Sequence, residues 1–245
     1  MCSRCDGRSL QRAGTTLLSR RELMRSAGGA VTVGLSSWAL GATMAGAGAT
    51  AVRAPYGSGF CSLSLFLAHA RQLAAEDGVV LELVATPTFA DHVTFIGAGA
   101  VDVSVTPYTS VIALHDAGAA VKIVAGGGIE GCGIVARPGL DAPEKLRGTK
   151  LGTFQMDSLE VMAYDWLRAN GIGFDEITVR YLGSTPEAVE AFRAGALDWV
   201  CTIEPYVTAL ARDVAGAHVL SRGRDVYGAG YTDCVLTAQR TILER

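Results

Sequence analysis

Residues 93–102 read Val-Thr-Phe-Ile-Gly-Ala-Gly-Ala-Val-Asp, and residues 189–198 read Val-Glu-Ala-Phe-Arg-Ala-Gly-Ala-Leu-Asp. The two stretches lie 96 residues apart and share one design: a final helical turn, a glycine, a small residue, an apolar residue and an aspartate. Gly99 and Gly195 stand where a helix C-cap calls for a left-handed residue, and the chain beyond each turns straight into a buried strand.

The likeness extends in both directions. Downstream lie Thr106-Pro107-Tyr108 and Thr202-Ile203-Glu204-Pro205-Tyr206. Upstream lie residues 79–84 (VVLELV) and 177–182 (ITVRYL), short runs rich in β-branched side chains. Before these come amphipathic stretches at 62–76 and 158–170, read as helices, and before those the strand-to-loop segments 52–57 and 150–154. Each unit therefore reads strand, helix, strand, helix, strand. Such alternation predicts an α/β protein of two similar parallel-sheet lobes, with right-handed crossovers, helices on both sheet faces and a cleft between the lobes. Residues 121–125 read as a strand closing the first lobe, 132–138 as a crossing strand and 234–238 as the return, so that two crossings form a hinge. The expected division is 1–51 as a leader, 52–136 with 232–245 as the first lobe, and 137–231 as the second.

Composition fits this reading. The 245 residues are 49% hydrophobic, 18% charged and 7% aromatic, which excludes a disordered, collagenous or multi-span membrane chain. The net charge of −3 is unevenly spread: residues 1–51 carry six arginines against Asp6 and Glu22, and the remaining 194 carry 15 basic and 22 acidic side chains. An acidic body without a basic stripe excludes nucleic acid as a partner.

The leader reads as an address. Ser19-Arg20-Arg21-Glu22-Leu23-Met24-Arg25 is followed by 26 uncharged residues, rich in Gly, Ala, Ser and Thr, that end in Ala49-Thr50-Ala51. The pattern resembles a bacterial twin-arginine export signal. A membrane anchor is the alternative by length, but so much Gly and Ser makes a poor spanning helix. No lipoprotein site is present, because Cys61 follows Phe60. The mature chain is expected in the periplasm or at the outer face of the cytoplasmic membrane. Cys2 and Cys5 form a lone C-x-x-C upstream of the arginine pair, weak evidence for metal, and no metal or cofactor is assigned. Cys61, Cys132, Cys201 and Cys234 fall near strand–loop junctions or hinge strands. Three readings stay open for them: small buried hydrophobes, an approach of Cys132 to Cys234 across the hinge, or thiolates converging on the cleft to hold a soft metal or a thiophilic ligand.

In open parallel sheets, ligands bind beyond the carboxyl ends of the strands, where helix N-termini also point. The loops meeting that condition supply the candidate ligand-binding residues: Ser58, Phe60, Thr86, Phe89, Thr106, Tyr108, Glu130, Phe154, Asp157, Ser158, Ser184, Glu204 and Tyr206. Hydroxyls and amides offer hydrogen bonds and the aromatics offer walls. The loops hold no Arg or Lys but carry carboxylates, with Asp91 and His92 at a helix start. A sulfonate or nitrate site recruits a cationic fork or point charge, so this chemistry favours a nitrogenous heteroaromatic or an amine. Asp91 and Asp157 also suit helix caps, and Glu204 its own turn. If Glu204 faces the ligand, Glu204→Ala weakens binding. Residues 126–130 are read as one of these cleft loops, but 126–128 are not a phosphate loop, lacking the Gly-Lys-Ser/Thr that follows in one.

In its ordered features the chain resembles the periplasmic solute-binding proteins of ABC importers, in the sulfonate/nitrate/taurine and thiamine-precursor group. The resemblance is carried by Gly-Ala-Val-Asp-Val at 99–103, Gly-Ala-Leu-Asp at 195–198, Leu146-Arg147-Gly148-Thr149-Lys150-Leu151-Gly152, Glu204-Pro205 and residues 235–238. It implies a monomer that captures a small molecule by hinge closure and delivers it to a membrane permease. Among the ligands of that group, a pyrimidine-like thiamine precursor suits the loops better than a sulfonate. Members usually continue for several dozen residues beyond the return strand, adding helices to the first lobe, so a truncated or pared-down member is expected. The alternative is an enzyme on the same fold. A thiamine-pyrimidine synthase-like protein needs a lysine for pyridoxal phosphate, and Lys122, Lys145 and Lys150 all lie away from the loops. A chorismate dehydratase-like protein belongs in the cytoplasm, and the export signal argues against both.

Overall fold

The computed structural model describes residues 49–57 and 59–244. The expected export signal, apart from residues 49–51, lies outside the described residues, as do Cys2, Cys5 and Ser58. Among the described residues no helix is long and apolar enough to cross a membrane.

The first lobe runs β1 (Thr50–Tyr56), a 3-10 turn (Phe60–Ser62), α1 (Leu63–Ala70), β2 (Val79–Ala85), α2 (Phe89–Gly97), β3 (Val103–Pro107), α3 (Tyr108–Asp116) and β4 (Val121–Ile129). The second runs β5 (Cys132–Ala136), β6 (Lys150–Thr153), α4 (Ser158–Ala169), β7 (Thr178–Tyr181), α5 (Thr185–Arg193), β8 (Trp199–Ile203), α6 (Tyr206–Asp213), β9 (His218–Arg222) and α7 (Gly223–Tyr227). The chain then returns to the first lobe with β10 (Thr232–Gln239) and α8 (Arg240–Leu243).

The second sheet has the order β7-β6-β8-β5-β9. In the first lobe β2 pairs with β1 in parallel, β1 lies beside β3, and the order continues β3-β10-β4. The two lobes thus repeat one plan, with the crossing strands β5 and β10 in equivalent places. Both crossing strands run antiparallel to their neighbours, which amends the all-parallel expectation by one strand in each lobe. β5 belongs to the second sheet, so the crossing falls at Glu130-Gly131 and not at Ala136. β1 begins at Thr50, two residues before the expected boundary.

The aspartates of the repeat have a common task. Asp102 accepts the Arg53 N–H of β1 at 2.9 Å, and its own N–H donates to the Arg53 carbonyl at 2.8 Å. Asp198 does the same to Lys150 of β6, at 2.8 and 3.0 Å. Each aspartate carbonyl also accepts from the end of the crossing strand, Gln239 N–H for Asp102 and Arg137 N–H for Asp198. The preceding glycines close paired Schellman turns at φ +72° and +81°. Gly99 N–H bonds the Ile96 carbonyl and Ala100 N–H the Phe95 carbonyl, and Gly195 and Ala196 repeat this on Phe192 and Ala191.

Two local readings change. The first helix stops at Ala70 instead of residue 76, because Gln72 adopts φ +49° and Leu73 N–H bonds back to the Ala68 carbonyl, a Schellman stop without glycine. Gly126, Gly127 and Gly128 lie inside β4, paired with β10 across register shifts, and not in a cleft loop. A Cβ on Gly127 would stand 2.8 Å from Val105 Cγ1 and 3.0 Å from the Val235 carbonyl carbon, so glycine is required there for close strand packing.

The cores are unequal. Around Trp199, Phe192, Leu151 and Ile134 the second lobe builds one continuous core, whereas the first holds two smaller clusters, around Ile96 and around Ala54. Removing the aspartate pin from the smaller-cored lobe is therefore expected to be felt. Asp102→Ala leaves the Arg53 N–H without its partner and the guanidinium with only the Gly99 carbonyl, and should lower unfolding free energy by about 1–3 kcal/mol, read from urea denaturation midpoints. An unchanged midpoint would contradict the pinning role.

Candidate ligand cleft

The lobes meet around a cavity of about 260 Å³. Its first-lobe wall comes from the ends of β1, β2 and β3, its second-lobe wall from the loops after β6, β7 and β8, and β10 supplies the floor through Asp233 and Cys234. The lobes are in contact on both sides of it. Phe89 N–H donates to the Gly183 carbonyl at 2.7 Å, and Thr109 and Ser110 hydroxyls both donate to the Met156 carbonyl, at 2.9 and 2.8 Å. Met156 presents that carbonyl from a left-handed backbone, φ +63°. Phe89 and Phe154 face one another across the lobes edge-to-face, ring centroids 6.2 Å apart.

Two carboxylates are buried at this junction. Asp157 caps α4, accepting the Leu159 N–H at 2.9 Å. Asp233 is 2% exposed and accepts from Ser158 Oγ of the other lobe. Ser158 Oγ also lies 3.1 Å from Asp157 Oδ1, so one hydroxyl proton stands between two carboxyl groups. Burial pushes the Asp157 carboxyl up against the opposing Leu159 bond, the nearby Asp233 adds to the rise, and the result is about 7. His92, on α2, is bonded to Ser104 Oγ at 2.9 Å and Thr106 Oγ1 at 3.3 Å, and burial lowers its pKa to about 4. The imidazole is therefore neutral near pH 7. Among the described residues no Arg or Lys lines the cavity.

Three helix N-termini point towards this space, but their amides are largely engaged by the protein itself. At α2, Thr88 N–H goes to Asp91, Asp91 N–H to Thr88 Oγ1 and Phe89 N–H to Gly183. At α5, Gly183 N–H goes to Glu187 and Glu187 N–H to Ser184 Oγ, while Pro186 has no N–H to offer. Asp157 itself closes α4.

Of the expected ligand residues, Thr86, Phe89, Phe154, Asp157 and Ser184 line this cavity. Tyr108 and Ser158 line a second, smaller one of about 170 Å³, against Tyr227 and Tyr231. Thr106 is fully buried, bonded to Ser104 and His92. Phe60 points to solvent, 59% exposed, though its N–H reaches the Glu204 carbonyl at 3.4 Å. Glu130 is a hinge clamp: its carboxylate takes Gly230 N–H at 2.9 Å and Arg224 at 3.3 Å, tying one crossing to the other. The Glu204 carboxylate closes α6 on Thr208 and pairs with Arg222 at 3.1 Å; burial pushes its pKa up, the Thr208 and Arg222 bonds outweigh that, and it stays below the ordinary value. Tyr206 packs on the second-lobe core. Glu204, Glu130, Phe60, Thr106 and Tyr206 are thus absent from the cavity wall, and Glu204→Ala is expected to loosen α6 and leave ligand affinity unchanged. Outside the expected list, Tyr56, His92 and Asp233 also line the cavity, as do Cys61 and Cys234, for which convergence on the cleft was one of three open readings. Asp233 had a signal: a carboxylate near the start of a strand that is otherwise uncharged.

Asp157 and His92 give opposing pH slopes. The folded chain holds the Asp157 proton between its unfolded value of 3.8 and about 7, so its contribution to stability falls as pH rises through that window. His92 releases its proton on folding between 6.5 and about 4, so its contribution falls as pH drops. Asp157→Asn, which keeps a capping residue, should make stability fall more steeply from pH 7 to 4 than in the parent, and His92→Asn should tilt it the opposite way. Urea midpoints across that range check this; parallel profiles for all three chains would contradict both assignments.

The fold is similar to that of known proteins. The alkanesulfonate-binding protein of Xanthomonas axonopodis superposes with a TM-score of 0.68 at 21% identity, over 81% of this chain and 68% of that one. The aliphatic sulphonate-binding protein of Escherichia coli gives 0.63 at 24%, over 79% and 63%. The nitrate-binding protein of Synechocystis gives 0.65 at 15%, over 80% and 57%. This chain spans 57–68% of the lengths of those three. At such identities the likeness establishes the two-lobed periplasmic binding protein fold. No protein of curated function matches the chain significantly in sequence. Residues 46–244 match the model of the NMT1-like family, and the chain belongs to that family.

Proposed function

We propose that the chain is the solute-binding component of an ABC-type importer, acting as an exported monomer outside the cytoplasmic membrane, and that its ligand is a small cationic or uncharged nitrogenous molecule. The two-lobed fold and a cavity walled by both lobes support the binding role. Closure then shifts the population towards a form whose contacts exist only when both lobes engage the ligand, and that form docks on the permease.

One observation carries the ligand class. Asp157 and Asp233 are buried at the cavity, its histidine is neutral, among the described residues no cationic side chain lines it, and the helix amides are largely engaged internally. An anion placed there would meet carboxylates without a compensating cation, whereas an amine or a protonated heteroaromatic would meet both charge and ring faces. The second reading, a sulfonate or nitrate, is favoured by the ligands of the solved relatives and by the three helix N-termini. An enzyme reading draws no support from the cavity, where Lys122, Lys145 and Lys150 are all absent from the wall.

Calorimetry on the full chain with amines, pyrimidines, alkanesulfonates and nitrate separates the readings. For an amine, affinity should rise as pH increases from 6 to 8, because Asp157 ionises near 7. Phe89→Ala should weaken it by about 1–2 kcal/mol, roughly tenfold, through loss of the ring wall. Tight sulfonate binding that strengthens towards low pH would overturn the ligand class and keep the importer role.

A further inference from the structure

On the cavity floor, Cys61 Sγ, Cys234 Sγ and a carboxylate oxygen of Asp233 all lie within 4.8 Å of one another. The three come from one lobe: Cys61 sits on the 3-10 turn after β1, and Asp233 and Cys234 open β10. No closure is needed to assemble them. Gly128 of β4 makes the approach possible, since a Cβ there would stand 3.1 Å from Cys61 Cβ and 3.6 Å from Cys234 Cβ. All three residues face the cavity that the ligand would enter.

We propose that Cys61, Cys234 and Asp233 form a three-donor site for a soft, zinc-class divalent ion, with the fourth coordination position open to the cleft. Two thiolates and a carboxylate are donors of the type such an ion takes. Metal–sulfur and metal–oxygen lengths of about 2.3 and 2.0–2.2 Å put tetrahedral donors about 3.5–3.8 Å apart, so the cluster needs only a small contraction. Hydrogen bonding favours an ion over a Cys61–Cys234 disulfide. Cys234 donates its thiol proton to Asp233 at 3.2 Å, and oxidation would remove that donor from a buried carboxylate, whereas an ion replaces it. On binding, the two thiol protons leave to solvent and the ion takes their place. The open position would accept a ring or amine nitrogen, which deepens the nitrogenous reading given above and rests on it; the metal site itself stands without it.

The test is titration of the full, reduced chain with Co²⁺ alone and then Zn²⁺ alone. Expected are one Co²⁺ per chain, a near-ultraviolet sulfur-to-cobalt charge-transfer band, and displacement by Zn²⁺. The band should persist in Cys2→Ser/Cys5→Ser, which removes the upstream pair. It should be lost, with affinity down by more than about 100-fold, in Cys61→Ser and Asp233→Asn, since even outer-shell changes cost about 10–100-fold. Asp233 also holds Ser158 and Cys234, so thermal melts accompany both variants; Cys61→Ser changes only a half-buried turn and remains decisive if Asp233→Asn does not fold. The proposal is overturned by absence of the band, by its survival in Cys61→Ser, or by its loss in Cys2→Ser/Cys5→Ser. A reduced chain that returns to a Cys61–Cys234 disulfide without taking up metal overturns it too. Amine binding at full strength in the metal-free chain would remove the open-position role while leaving the cleft reading intact.

Discussion

Each lobe is organised by one aspartate that bonds two strands at once. Asp102 and Asp198 engage the first strand of their lobe through side chain and N–H, and the crossing strand through the carbonyl. A strand end bonded on three sides cannot slip in register, and a one-residue slip would turn every inward side chain outward. The arrangement fixes the crossing strand beside the repeat, and with it the direction in which all the strand ends point. The cleft lies where those ends face each other.

That placement brings an unusual set of groups together. Asp157 comes from the start of a second-lobe helix and Asp233 from the first strand residues after the return crossing, and Ser158 bridges them with one proton to give. Burial of the Asp157 carboxyl, with Asp233 close by, keeps it protonated up to about 7. The same burial keeps His92 neutral. Among the described residues the cleft thus presents carboxyl groups and a neutral imidazole and no cationic side chain.

Much of the fold was legible because it is written twice. The helix end, glycine and aspartate recur at a fixed spacing, and the structure gives each the same bonds. What the sequence could not convey was the antiparallel direction of β5 and β10: a short apolar run such as Cys132–Ala136 fits either direction, and only its position between β8 and β9 decides it. The glycines of β4 read as a loop because their role, close approach of β3, β10 and the Cys61 turn, is tertiary. The site was half legible. Loops beyond strand ends led to the cavity wall, which Thr86, Phe89, Phe154, Asp157 and Ser184 line. Glu130, Glu204 and Tyr206 satisfied the same rule but are engaged by their own lobes or hinge, a matter of neighbours such as Arg222 and Arg224 that are remote in sequence. Asp233 and Cys234 stand at the beginning of their strand, where the rule does not look.

The nature of the guest is settled most directly by a crystal structure of the chain with its tightest-binding small molecule. Expected is a nitrogen of that molecule within hydrogen-bond distance of Asp157 or Asp233, its body between Phe89 and Phe154. An acid group held on the N-termini of α2 and α5, with both carboxyl groups turned away, would contradict the acidic cleft as the origin of selectivity.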